Sequence, residues 1–204
     1  MDSIASGAEA DISRGEFLGR RAVFKVRRPK GYRDPDLDRR IRSQRTRAEA
    51  RLLREARSAG IRTPVIYSVD LPKAEIVMED VGGETVKARL HAHPEEADEI
   101  CAKVGSTLAR LHNARISHGD LTTSNMVMLP DGRMCFIDFS MGTSLATTED
   151  MGTDVRLLER AFSSAHPGLE GAYQRIVDAY RAEKNDAEAV LGKVQEIKDR
   201  GRYT

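Results

Sequence analysis

Residues 118–125 read His-Gly-Asp-Leu-Thr-Thr-Ser-Asn, and thirteen positions after Asn125 a short apolar run, residues 135–137, delivers Asp138 and Phe139. This spacing outlines a phosphoryl-transfer site. Asp120 can orient an attacking hydroxyl or water and accept its proton as the oxygen approaches phosphorus. Asn125 and Asp138 offer one amide and one carboxylate oxygen. That is enough for Mg2+, a hard cation that keeps waters and completes its shell with phosphate oxygens. Singly, each aspartate would be an ordinary turn or strand-end residue. The two spacings and the apolar strand, taken together, carry the assignment.

Lys25 follows Ala22-Val23-Phe24, so its ammonium should project from a strand toward nucleotide phosphates, as the strand lysine of kinases does. Its best-placed acidic partner is Glu49 on a long downstream helix, since Glu55 lies nearer the helix end and Asp38 nearer its start. Ser6-Gly7-Ala8-Glu9-Ala10 stands where a phosphate-covering loop belongs, with one glycine where a kinase loop normally has three. Ile4, Gly7, Ala8, Glu9 and Ala10 are therefore candidate nucleotide contacts. A strand ending in Met78-Glu79-Asp80-Val81 runs into Gly82-Gly83, a hinge whose backbone at Met78, Glu79 and Val81 would meet the adenine. His91 and His93 beside Glu95 and Glu96 read as a surface loop ahead of a helix in preference to a metal site. His118 reads as a brace for the catalytic loop.

The elements that must position these groups follow from periodicity. Strands are predicted over residues 21–26, 65–69 and 76–78. A helix is predicted from Pro35, after Asp34, to Gly60, with Leu37, Ile41, Ala48, Leu52 and Ala56 as its apolar face. Beyond Gly83 the pattern turns helical over residues 97–113, 154–162, 173–181 and 186–198, the last capped by Asn185. The expected fold is α+β. It is a minimal bilobal protein-kinase-like fold, with a small β-rich N-lobe over residues 1–81 and a truncated helical C-lobe over residues 82–204.

Composition agrees with a globular chain: 40% of the 204 residues are hydrophobic and 32% charged, which excludes a disordered polymer. Two cysteines without a CxxC pair argue against disulfides and structural zinc. The sequence shows no export signal and no run of about 18 apolar residues, so a cytoplasmic protein without a membrane span is expected. Net charge is only +1, yet residues 25–57 hold thirteen lysines and arginines against five acids. That basic helix suits RNA phosphates and suits a solvated face equally well. It lacks the interleaved aromatics that would read bases.

Residues 6–10, Lys25 with Arg-Pro-Lys-Gly-Tyr-Arg at 28–33, Glu49-Ala50, Gly-Ile-Arg-Thr-Pro at 60–64 and residues 118–125 together resemble one family over nearly the whole chain. It is the small kinase-like ATPase subunit of the KEOPS complex, the PRPK-type kinases. Asp150 with Asp154 and Arg200-Gly201-Arg202 match the family's pattern as well. The resemblance implies an atypical serine/threonine kinase that uses ATP and Mg2+ and behaves largely as an ATPase. It also implies work beside a threonylcarbamoyl-transferase subunit and a small regulatory subunit of that complex. Transfer RNA would be contacted through the basic helix, Arg200 and Arg202. In some archaea the family's kinase domain is fused behind that partner enzyme. Two departures stand out. Ser140 follows Asp138-Phe139 where glycine is usual, which reduces backbone freedom, and Gly119 replaces the arginine many protein kinases place before the catalytic aspartate. Two other functions use the same residues. A small-molecule kinase of the aminoglycoside or choline type shares His-Gly-Asp but adds a large helical substrate pocket, whereas 66 residues follow Asp138 here. A nucleotide-bound adaptor would join partners or hold RNA.

Overall fold

The computed structural model describes residues 2–6 and 9–201. Strands β1 (Asp2–Ser6), β2 (Ala10–Phe17), β3 (Arg20–Arg27), β4 (Ile66–Asp70) and β5 (Glu75–Glu79) form an antiparallel sheet in the order β1-β2-β3-β5-β4. Helix α1 (Pro35–Ser58) connects β3 to β4. Strand β2 was not among the predicted elements, because its sequence, ADISRGEF, is polar and has few β-branched residues. Pairing with β3 holds it in place, Ile12 lying opposite Lys25 and Gly15 opposite Ala22.

Helix α1 begins where Asp34 accepts the N–H groups of Asp36 and Leu37, each at 3.0 Å, with Pro35 in the first turn. Its predicted apolar face needs correction. Leu37 is 51% exposed, and the buried positions are Asp38, Thr46, Glu49, Leu52, Leu53 and Ala56. Only the C-terminal half faces hydrocarbon. The N-terminal half turns Asp38 toward Arg42 at 2.6 Å and Arg33 at 3.6 Å, and Glu49, just past the middle of the helix, faces two cations from the sheet.

After β5 come β6 (Glu84–Thr85), α2 (Val86–Ala92), α3 (Ala97–Asn113), β7 (Ile116–Ser117), β8 (Met126–Met128), β9 (Met134–Phe136) and β10 (Thr143–Ser144). Helices α4 (Thr148–Ala165), α5 (Glu170–Glu183) and α6 (Ala187–Arg200) follow. β6, β8 and β9 make a three-stranded sheet, and β7 pairs with β10. α4 starts six residues earlier than predicted, because Thr147 and Asp150 form a reciprocal capping box. Asn185 does not cap α6. Asp186, left-handed at φ 54°, holds the cap position, and the Asn185 N–H donates to Asn113 Oδ1 at 3.0 Å. α2 was not predicted either, and it places His91 on a helix instead of in a loop.

One apolar cluster runs without a break from Leu52, Ile76 and Met78, through Leu108 and Phe136, to Phe162 and Tyr180. At about 1.5–3 kcal/mol for each large side chain removed from water, this shared core joins the sheet and α1 to the helices below. Among the described residues, no helix is long and apolar enough to cross a membrane.

Candidate active site

Lys25 leaves β3 and lies buried between two carboxylates. Its Nζ is 2.7 Å from Glu49 Oε1 on α1 and 2.8 Å from Asp138 Oδ1 just beyond β9. One ammonium thus ties the sheet, the long helix and the candidate metal aspartate together. Glu49 has a second cation that sequence reasoning missed. Arg27, two residues after Lys25 and 4% exposed, places Nη2 2.5 Å from Glu49 Oε2. The strand alternation was the available signal, since Lys25 and Arg27 must share one face. Burial pushes the Glu49 carboxyl upward, against the pull of Lys25 and Arg27. Burial also opposes ionisation of Asp138, but there the Lys25 ammonium and hydrogen bonds from Ser140 outweigh it and hold the carboxyl below its ordinary range.

The loop carrying Asp120 is set by backbone hydrogen bonds. Asp154, fully buried on α4, accepts the His118 N–H at 2.5 Å on one oxygen and the Gly119 N–H at 2.7 Å on the other. His112 Nε2 lies 3.3 Å from the same carboxylate, and its Nδ1 faces the Tyr180 hydroxyl at 2.9 Å. The His118 Nε2–H donates to the Ile137 carbonyl at 2.9 Å, and the Asp120 N–H donates to His118 Nδ1 at 3.3 Å. His118 thus links the catalytic loop to the strand that delivers Asp138. Gly119 has φ +80°, and a Cβ there would lie 2.0 Å from the Met141 carbonyl oxygen. Close backbone approach therefore demands glycine at this position.

Asn125 donates its Nδ2 to the Asp120 carbonyl at 2.8 Å and to Asp120 Oδ2 at 3.1 Å. That commitment of the amide nitrogen makes the Asn125 amide oxygen the candidate ligand atom. Asp138 has φ +61°, a strained backbone for a non-glycine residue and one that active sites tolerate when their surroundings enforce it. Lys25 engages its Oδ1, and the N–H of the preceding Ile137 donates to the Asn125 carbonyl at 3.0 Å, so the two candidate ligands sit on adjoining backbone. Hard oxygen donors of this kind suit Mg2+.

The remaining candidates fall in several places. Gly7 and Ala8 lie outside the described residues. Ile4 is on β1, beside a register shift in its pairing with β2. Ala10 opens β2 and is buried. Both Glu9 carboxylate oxygens are taken by Arg45 of α1 at 3.1 Å, so this side chain fastens the loop to the helix. Met78 is buried on β5. The Glu79 side chain is engaged by Arg62 at 2.6 Å and 2.9 Å and its backbone N–H donates to the Val65 carbonyl at 2.8 Å, so its own carbonyl is the one candidate contact it keeps. Val81 packs with Ile137 against Val127, Leu129 and Cys135, an apolar floor beneath the hinge that sequence reasoning did not pick out. His93, Glu95 and Glu96 come together on the surface, where Arg89 engages both Glu96 oxygens at 2.6 Å and 2.7 Å.

The RIO domain family model matches residues 20–167, which include Lys25, Glu49, Asp120, Asn125, Asp138 and Asp154. The chain belongs to the RIO domain family. It is 39% identical over 214 residues to the KEOPS complex subunit Bud32 of Pyrococcus abyssi, covering 100% of this chain and 96% of that protein. It is 38% identical over 212 residues to the EKC/KEOPS complex subunit Tp53rkb of Mus musculus, covering 99% of this chain and 87% of that one. A Methanothermobacter thermautotrophicus protein named "Probable bifunctional tRNA threonylcarbamoyladenosine biosynthesis protein" is 42% identical over 204 residues, and the chain spans 37% of its length. A crystal structure of the Rio2 kinase–ADP/Mg2+–phosphoaspartate complex from Chaetomium thermophilum aligns with a TM-score of 0.66 at 16% identity. It covers 96% of this chain and 70% of that one, and shows the shared fold.

Within this RIO domain, Ser140 does not need the freedom of glycine. The left-handed non-glycine residue here is Asp138, not Ser140, and the Ser140 N–H donates to Asp138 Oδ1 at 3.3 Å. Two of the RIO domain's three deeply buried histidines make a pH prediction. Burial lowers the pKa of His118 and of His166 below 6.5, so the folded state binds fewer protons than the unfolded state. Their contribution to stability is complete above about pH 6.5 and is lost as pH falls below it. Urea midpoints should therefore drop between pH 7.5 and 5.5, and the drop should shrink in His166→Gln. An equal drop in both proteins would remove His166 from the account.

Proposed function

We propose that this RIO domain is an ATP-hydrolysing atypical serine/threonine kinase subunit, with its nucleotide held between an N-lobe of residues 1–81 and a C-lobe of residues 82–204. The bridge from Lys25 to both Glu49 and Asp138 carries this assignment, because a phosphate placed in the cleft would meet a cation already fixed from two sides. The hinge backbone at Met78, Glu79 and Val81 receives the adenine, above the floor made by Val127 and Ile137. Ile4 on β1, Glu9 just before β2 and Ala10 at its start would contact the phosphates, with Gly7 and Ala8 as further candidates on sequence grounds alone. Asn125 and Asp138 hold Mg2+, which when bound neutralises charge on the transferred phosphoryl group. Asp120 keeps one carboxylate oxygen on Asn125 and turns the other toward a water or hydroxyl, whose proton it accepts. Asp120 is exposed, so water reaches it directly.

The KEOPS relatives support a place in such a complex, beside a threonylcarbamoyl-transferase subunit and a small regulatory subunit, in the service of threonylcarbamoyl-adenosine formation on transfer RNA. A cytoplasmic setting fits two buried, unpaired cysteines whose thiols burial pushes up to about 12. For RNA, α1 offers less charge than its sequence suggests. Arg42 and Arg45 are engaged by Asp38 and Glu9, whereas Arg40, Arg47 and Arg54 form no ion pair among the described residues. Arg200 meets Glu149 at 2.5 Å, and Arg202 lies outside the described residues. Phosphate contacts by α1 would thus be few and would weaken with salt accordingly.

The test is magnesium-dependent ATP turnover with and without transfer RNA, comparing wild type with Asp120→Ala. Loss of a positioned base should lower turnover by about 10²- to 10⁴-fold. Undiminished turnover without Asp120, or without Mg2+, would show the assignment to be wrong.

A further inference from the structure

We infer that His166, at the end of α4, is a positioning residue for the metal-binding turn. This rests on the proposed roles of Asp120 and Asn125. The turn Thr123–Asn125 is a single 3-10 turn closed by the Asn125 N–H donating to the Thr122 carbonyl at 3.0 Å. Its first residue, Thr123, is 2% exposed, and its hydroxyl lies 2.9 Å from His166 Nε2. His166 is itself 2% exposed. This is a side-chain tie, distinct from the backbone bonds that Asp154 makes to His118 and Gly119.

His166 is firmly held. Its N–H donates to the Phe162 carbonyl at 2.9 Å, and its ring packs against Phe162 with centroids 4.8 Å apart. The His91 ring meets it edge-on at 5.1 Å, and His91 in turn donates Nε2–H to the Ala165 carbonyl at 2.7 Å. The end of α4 and helix α2 thus clamp one imidazole, and that imidazole holds the turn two residues before Asn125. Two linked aspects of the Asn125 site are then fixed from opposite ends. Its side chain is oriented by Asp120, and its backbone is anchored through Thr123. A turn freed from this anchor would present the amide oxygen over a wider range of positions, and a metal that demands near-ideal octahedral geometry would bind less tightly.

The variants are His166→Phe, which keeps a ring against Phe162 but loses the hydrogen bond, and Thr123→Val, which keeps shape but loses the hydroxyl. His166→Gln places an amide where Nε2 stood. In both His166→Phe and Thr123→Val, the Mg2+ concentration for half-maximal ATP turnover should rise about tenfold, the scale of one buried hydrogen bond, with turnover at saturating Mg2+ changing less. The double variant should be no worse than either single one, since both remove the same bond. His166→Gln should recover most of the loss. Mn2+ titration of the ADP-bound protein, followed by electron paramagnetic resonance, should show the same weakening without any turnover. Folded His166→Phe and Thr123→Val proteins with wild-type Mg2+ dependence and Mn2+ affinity would overturn the inference while leaving the catalytic assignment standing. An Asp120→Ala protein that still turned over would instead overturn the assignment beneath it.

Discussion

Replacing Gly119 by alanine should lower ATP turnover by about 100-fold in a protein that still folds. The left-handed backbone costs a side-chain-bearing residue about 1–2 kcal/mol, and this is the smaller part of the effect. A Cβ at Gly119 would lie 2.0 Å from the Met141 carbonyl oxygen and 2.3 Å from its carbon, so backbone must move. Gly119 immediately precedes Asp120 and donates its N–H to Asp154, and a shift of about 1 Å in a reacting group can cost about 10²-fold. Arginine, the residue many protein kinases carry here, should do no better, because the obstruction begins at Cβ. Steady-state kinetics beside a thermal melt decides the matter. A Gly119→Arg protein with wild-type turnover would mean that the segment around Met141 yields at little cost.

Replacing Arg27 by methionine should cost about 3 kcal/mol of folding stability and also weaken nucleotide binding. Removing one partner of a buried ion pair costs about 3–5 kcal/mol when the other charge is stranded. Glu49 keeps Lys25, which places the expectation at the low end. For a domain whose net stability is about 5–15 kcal/mol, that is a large fraction. Binding suffers because Glu49, left with one cation, competes with phosphate for Lys25. Converting Glu49 to leucine in the same chain should restore much of the stability and none of the binding, since hydrocarbon can replace a buried pair but cannot position an ammonium. Urea denaturation with ADP titration reads both quantities. A cost under about 1 kcal/mol for Arg27→Met would assign the buried pair to solvent-like screening.

The bilobal α+β fold was legible because long periodic segments and an apolar strand before Asp138 leave few alternatives. The helix holding residues 97–113 was read to its ends, since Ile100, Val104, Leu108 and Leu111 all face one core. What escaped was held by pairing or by buried charge. β2 is a strand because β1 and β3 flank it. Leu37 was placed on the wrong side because α1 buries Asp38 and Glu49, where a pattern-based expectation looks for leucine. At the site, Lys25, Glu49 and Asp138 converge as their types suggested. Arg27 and the Thr123–His166 tie were invisible for different reasons. An arginine in a basic segment looks solvated, and a contact between residues 43 apart leaves no local trace.

The brace beneath the catalytic loop has a consequence for the order of assembly. His118 depends on Asp154, 36 residues later, and His112 on Tyr180, 68 residues later. Synthesis therefore delivers Lys25, Glu49, Asp120, Asn125 and Asp138 well before the chain that fixes them. Contacts this distant in sequence close late, after their loop entropy has been overcome. A nascent chain that has not reached Tyr180 carries all of the site's chemical groups, but not yet the geometry that makes them a site.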